Sequence, residues 1–187
     1  MSAVWIPTFT GRAFRPLDPR FEDINIVDIG HSLSMINRFL GHTPWPYSVA
    51  QHSVLMTKYA REMGNGKLVQ RACLLHDASE AFICDLVSPV KKEMPTYVLH
   101  ETRLDNMIQS KFFSGVPVTE VKKAFSISRK YDLRILKTEA ELFFPNPPEP
   151  WNLEDIVSLP VTIEPWDWAR AKSEFLTLAN ELIYFKR

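Results

Sequence analysis

Three stretches of this chain carry polar groups on faces that are otherwise apolar. Within and just beyond "YSVAQHSVLMTKYA", residues Val49, His52, Met56, Tyr59, Ala60 and Met63 recur at three- and four-residue steps, one face of a 3.6-residue period. In "LLHDASE", His76 and Asp77 interrupt a stripe formed by Val69, Ala72, Cys73, Glu80 and Ile83. In "RKYDLRILKTEA", Asp132 shares its face with Val121, Phe125, Ser128, Ile135, Glu139 and Leu142. An inward imidazole must find a hydrogen-bond partner, a charge or a metal, and a lone buried carboxylate is costly. Taken singly, His52 reads as a satisfied core histidine. Two imidazoles and two carboxylates converging from separate segments lose that cost if they hold a divalent ion. Nitrogen and oxygen donors in this mix suit Mn²⁺, Fe²⁺, Co²⁺, Ni²⁺ or Zn²⁺ rather than Ca²⁺. Such an ion acidifies water and polarises a phosphoryl oxygen.

The elements that must position these groups are helical. Ser48 and Gln51 have the spacing of a capping box and open the helix that carries His52. "EDINIVDIGHSLSMINRFLG" predicts a preceding helix with Gly41 as its stop. "KLVQRACLLHDASEAFICDL" predicts one helix through the His-Asp pair, broken at Ser88-Pro89, with Glu80 one turn after His76 on the same face. "PTYVLHETRLDNMIQSKFF" stops at Ser114-Gly115, and Thr119 is a candidate cap for the helix bearing Asp132. A Pro-rich surface excursion, with a hint of strand over 161–163, separates it from a last helix in "WDWARAKSEFLTLANELIYF", where Trp168, Phe175, Leu178 and Leu182 share a side. Residues 4–16 read as a short hairpin. The expectation is an all-α fold with a short N-terminal β-hairpin, one orthogonal helical domain over 1–187.

Composition narrows the function classes. Lys+Arg and Asp+Glu balance at 22 each, so no basic surface for polymeric nucleic acid or an anionic membrane is evident. Cys73 and Cys84 lie in apolar stretches without metal-type spacing and read as reduced core residues. No apolar run reaches membrane-spanning length, and "MSAVWIPTFTGR" lacks a signal-peptide pattern. A soluble, cytoplasmic protein is the expectation.

The H…HD…D constellation resembles the HD-domain metal-dependent phosphohydrolases. "INRF", "YSVAQHS", "HDASEAFICDL" and "YDLRILKTEA" carry the resemblance, which extends over most of the chain. Within that superfamily the nearest likeness is to bacterial 5′-deoxynucleotidases and small phage-type deoxynucleoside triphosphohydrolases, including dATP-specific ones. The resemblance implies a compact helical bundle in which His52, His76, Asp77 and Asp132 hold one divalent ion, Co²⁺, Mn²⁺, Zn²⁺ or Mg²⁺. It implies that Glu80 and Asp85 position water and transfer protons beside it. Arg38-Phe39 stands where the deoxynucleotidases have an Arg-Trp pair that looks like a phosphate and sugar clamp, with Phe in place of Trp. His31, two turns before Arg38, either joins that pocket or bonds locally. Lys91 and Lys92 either meet outer phosphates or are surface lysines. His42 and His100 are given no role. The superfamily's di-iron oxygenases and cyclic-nucleotide phosphodiesterases use extra histidines between the HD pair and the last Asp, where this chain has only His100. No GYP motif occurs, and Ala81 follows Glu80 where the alarmone hydrolases have a second acid.

The implied substrate is a 2′-deoxynucleoside 5′-phosphate, with a dNTP such as dATP first and a dNMP as the alternative. Products are a deoxynucleoside and triphosphate or phosphate. Relatives form dimers or rings, so a homo-oligomer is implied by resemblance alone. Two other classes remain open: a nucleotide sensor that keeps the metal but not the catalysis, and a helical interaction domain without metal.

Overall fold

The computed structural model describes residues 4–184. It is mostly helical, with a two-stranded hairpin near the N-terminus, as the periodicity predicted. Strands β1 (Ile6–Pro7) and β2 (Ala13–Phe14) pair antiparallel, Ile6 opposite Phe14. Gly11 at φ +79° makes the turn that a side chain would strain. Among the described residues eight α-helices follow: α1 (Ile26–Met35), α2 (Val49–Glu62), α3 (Lys67–Leu75), α4 (Glu80–Ile83), α5 (Ser88–Lys91), α6 (Pro95–Phe112), α7 (Val118–Phe143) and α8 (Trp168–Ala179). A π-turn over Asn180–Tyr184 prolongs α8. Phe185, the end of the expected last helix, lies outside the described residues. No helix among the described residues is long and apolar enough to cross a membrane.

Side-chain caps start three of the helices. Asn25 accepts from the Val27 N–H, Ser48 from that of Gln51 and Asp167 from that of Arg170. The expected capping box forms only by half. Gln51 turns away, and its Nε2 donates to the Glu164 carbonyl at 2.7 Å, pinning the Pro-rich excursion to α2. Thr138 continues that pinning by donating to the Leu159 carbonyl at 2.9 Å and accepting from the Leu159 N–H at 2.8 Å. No strand forms over 161–163. Helix α7 starts at Val118 behind Pro117, and Thr119 does not cap it.

Helix α2 lies at the centre, packed on α3 and α8; α3 packs on α7 and α1 on α8. Ile29, Leu33, Val54, Leu74, Leu104 and Phe175 anchor the main core. Met56, Cys73, Ile135 and Leu159 fill the space between α2, α3 and α7. Residues placed at the ends of predicted stripes spill out: Met63, Leu142 and Trp168 are exposed. So is Cys84, because α4 ends one residue before it. At Gly30 α1 lies close against α8, and an added Cβ would stand 2.9 Å from Phe175 Cδ1 and 3.0 Å from Leu176 Cδ2. Gly30→Ala is therefore expected to cost about 1–3 kcal/mol by overpacking. A thermal melt should show a midpoint several degrees lower, and an unchanged midpoint would mean the seam relaxes freely.

Two predicted helices break where the site is built. The first ends at Met35. Ile36 turns extended (φ −86°, ψ 120°), Asn37 bridges to Ser48, and Arg38–Gly41 form a separate 3-10 turn. Phe39 and Leu40 there adopt left-handed φ of 54° and 53°, at a cost of roughly 1–2 kcal/mol each for side-chain-bearing residues. The second ends at Leu75, and the His76–Ser79 segment is a turn leading into α4.

Candidate metal centre

His52 sits in the first turn of α2 with no solvent exposure. His76 and Asp77 occupy the break after α3, and Asp132 lies midway along α7 with its side chain 39% exposed. The Nε2 atoms of His52 and His76 are 3.2 Å apart. Asp132 Oδ1 is 3.2 Å from His52 Nε2 and 3.7 Å from His76 Nε2. Asp77 Oδ2 joins through His76 Nε2 at 3.0 Å. The four predicted ligands thus meet, three of them as one tight group of donor atoms.

The tautomers follow from the opposite ring nitrogens. His52 Nδ1 lies 2.6 Å from Glu139 Oε1, and His76 Nδ1 lies 2.9 Å from the Cys73 carbonyl oxygen. A carbonyl and an ionised carboxylate only accept, so both rings carry their proton on Nδ1. Both Nε2 lone pairs then point into one space beside the Asp132 and Asp77 carboxylates. Lone pairs 3.2 Å apart repel unless a cation lies between them. The triangle of the two Nε2 atoms and Asp132 Oδ1 has a circumradius of about 2.0 Å, against metal–imidazole bonds of about 2.0–2.1 Å. The donor set therefore fits a divalent ion in both chemistry and size.

Without a metal the carboxylates of the cluster favour a charged His76 imidazole. Burial opposes charge on His76, but Asp77 and Asp132 outweigh it and hold its pKa well above the usual histidine value. For Asp77 and Asp132 burial again opposes the charged form, and the two imidazoles outweigh it, leaving both carboxyls below the usual range. A raised histidine pKa stabilises the fold fully below the unfolded value of about 6.5, and that stabilisation fades as pH climbs through the folded value. Metal affinity moves the opposite way, because the ion needs neutral imidazole. Metal-free protein is expected to melt at progressively lower temperature from pH 6.5 upward, and saturating Mn²⁺ should raise the midpoint more at pH 8 than at pH 6. A flat metal-free profile would place the proton elsewhere.

The neighbours sort into two groups. Glu80 starts α4, is 7% exposed, and its Oε2 is buried without a hydrogen-bond partner. Burial first, then the charges of Asp77 and Asp85, push its pKa well up. Asp85 is half-buried, and burial with Asp77 raises its carboxyl against the opposing pull of Arg38 and Lys91. Arg38 reaches the cluster, with Nη1 at 3.7 Å from Asp77 Oδ2.

The remaining predicted substrate contacts divide. His31 does not share Arg38's pocket, because α1 ends between them. It stacks on Phe9 at 3.9 Å, faces Trp168 and Lys172, and lines a separate cavity beneath the hairpin. Lys91 Nζ is paired with Glu101 at 2.7 Å. Phe39 packs edge-on against Phe143, Phe144 and Trp151 at 5.3–6.1 Å, in an aromatic cluster next to Arg38.

Glu139 and Tyr47 also belong to the site, although the sequence spacing assigns neither a role. Both are fully buried, and Tyr47 Oη donates to Glu139 Oε1 at 2.8 Å. The signal for Glu139 was present: it stands two turns after Asp132 on the same inward face, where a carboxylate requires partners.

No family model matches this chain. The uncharacterized protein YfdR of Escherichia coli is 36% identical to it over 144 residues, covering 75% of this chain and 77% of that protein. An uncharacterized protein of Rhodobacter capsulatus is 34% identical over 143 residues, 72% of each. The chain that brings these four side chains together belongs to the family of YfdR and its Rhodobacter counterpart.

Proposed function

We propose that this protein is a divalent-metal-dependent phosphohydrolase of 2′-deoxynucleoside 5′-phosphates, of the HD-domain kind. The observation that carries the reading is the pair of imidazoles whose Nε2 atoms lie 3.2 Å apart beside Asp132 and Asp77. A divalent ion held there would acidify water and polarise a phosphoryl oxygen.

The chain's own residues supply the rest. Arg38 offers cationic N–H donors to phosphate oxygens at the edge of the cluster. Glu80, its pKa pushed up by burial and neighbouring carboxylates, donates its proton to the departing 5′ oxygen. Asp85 accepts a proton from the attacking water. The balanced reaction is dNTP plus water giving deoxynucleoside plus triphosphate, or dNMP plus water giving deoxynucleoside plus phosphate. The deoxynucleotide class, and assembly into homo-oligomers, rest on the resemblance of "YSVAQHS", "HDASEAFICDL" and "YDLRILKTEA" to that superfamily. A dNTP such as dATP is the first reading. The pairing of Lys91 with Glu101 favours the second, a dNMP, because it withdraws a cation from a longer phosphate tail.

The test is product analysis with dNTPs, dNMPs and the matching ribonucleotides, with Mn²⁺, Co²⁺ or Mg²⁺ added. Deoxynucleoside should appear with triphosphate or phosphate. Metal binding without turnover on any of these would leave a nucleotide sensor instead.

A further inference from the structure

Five side chains around the candidate centre close into a ring. Glu139 Oε1 meets His52 Nδ1 at 2.6 Å, His52 meets His76 at 3.2 Å, and His76 meets Asp77 at 3.0 Å. Asp77 faces Arg38 Nη1 at 3.7 Å, and Arg38 returns to Glu139 Oε2 through Nη2 at 3.0 Å and Nε at 3.2 Å. Tyr47 Oη supplies the fourth donor to Glu139. Two carboxylate oxygens offer about four lone-pair sites, and here four N–H or O–H donors fill them. The donors come from the turn after α1, the residue before the Ser48 cap, and α2, whereas Glu139 comes from α7. One buried carboxylate thereby fixes two different working groups.

We propose that Glu139 is a positioning residue that orients His52 to present Nε2 to the cation and holds the Arg38 guanidinium at the anion side of the same centre. The inference deepens the phosphohydrolase reading and rests on its metal site. On the His52 arm, the acceptor at Nδ1 fixes the tautomer, and loss of such an outer partner typically costs about 10–100-fold in metal affinity. On the Arg38 arm, Nε and Nη2 are held by Glu139, so Nη1 is left directed toward Asp77. In Glu139→Gln the amide N–H cannot accept from Arg38, and at least one arm loses its partner.

The experiment compares wild type, Glu139→Gln and Arg38→Ala by calorimetric titration with Mn²⁺, and the Mn²⁺-loaded proteins with inorganic phosphate. Glu139→Gln, folded as judged by its melt, should bind Mn²⁺ about 10–100-fold more weakly and phosphate more weakly as well. Arg38→Ala should weaken phosphate binding and leave Mn²⁺ affinity within a few-fold. A folded Glu139→Gln chain with wild-type affinity for both overturns the proposal. If that variant does not fold, ¹⁵N spectra of the metal-free wild-type ring decide: a protonated Nδ1 on His52 upholds the assignment, and a protonated Nε2 overturns it. None of these readouts uses turnover. A chain that binds Mn²⁺ with this dependence on Glu139 but hydrolyses nothing sinks the phosphohydrolase reading alone. A hydrolase indifferent to Glu139 sinks this proposal alone. A wild type that binds no Mn²⁺ sinks both.

Discussion

Asp132→Ala is expected to yield a folded chain that has lost both its divalent ion and its turnover. The Asp132 side chain is 39% exposed, and its neighbours in the site are His52 and His76. What goes is the only carboxylate oxygen in the three-atom donor group. The two imidazoles would remain, with Asp77 shared between His76 and Arg38. The affinity loss should exceed the roughly 10–100-fold expected for an outer partner such as Glu139. Phosphate release should fall with metal content rather than independently of it. Mn²⁺ titration and a phosphate assay on the same sample check this, and a variant that keeps metal and rate would remove α7 from the centre.

Glu80→Gln should separate the two properties that Asp132→Ala removes together. The Glu80 Oε2 is buried and unpartnered, and burial with the charges of Asp77 and Asp85 pushes its pKa well up. A positioned acid contributes about 10²–10⁴-fold to a proton-transfer step. The variant is therefore expected to hold Mn²⁺ as wild type does while kcat drops by about that factor. Wild-type turnover should also fall as pH rises through the raised Glu80 pKa, since the acid form is the donor, and the variant should lose that limb. An unchanged kcat would take Glu80 out of the reaction.

The residues that meet at the centre were largely legible, because each departs from an apolar periodicity that the core enforces. His52, His76 and Asp132 each occupy a position where a hydrophobe would otherwise sit. The helix breaks beside them were not legible. Nothing local stops α1 at Met35; the stop comes from Asn37 pairing with Ser48, a contact made only in the folded chain. The same break carried His31 away from Arg38 and under the hairpin, where Phe9 stacks on it. Lys91 was legible as a cation but not as the partner of Glu101, since that contact brings together α5 and α6. Periodicity puts Glu139 on the inward face without giving it a role, because it shows direction and not what waits there. Tyr47 and Arg38, its partners, lie 92 and 101 residues away in sequence.

The central claim is that two imidazoles and the carboxylates of Asp77 and Asp132 hold a single divalent ion. Elemental analysis of the purified protein after exposure to Mn²⁺ or Co²⁺ and desalting tests it most directly. One equivalent per chain, abolished by His76→Ala, is the predicted result. A wild-type chain that retains no transition metal, or a His76→Ala chain that retains a full equivalent, would contradict it.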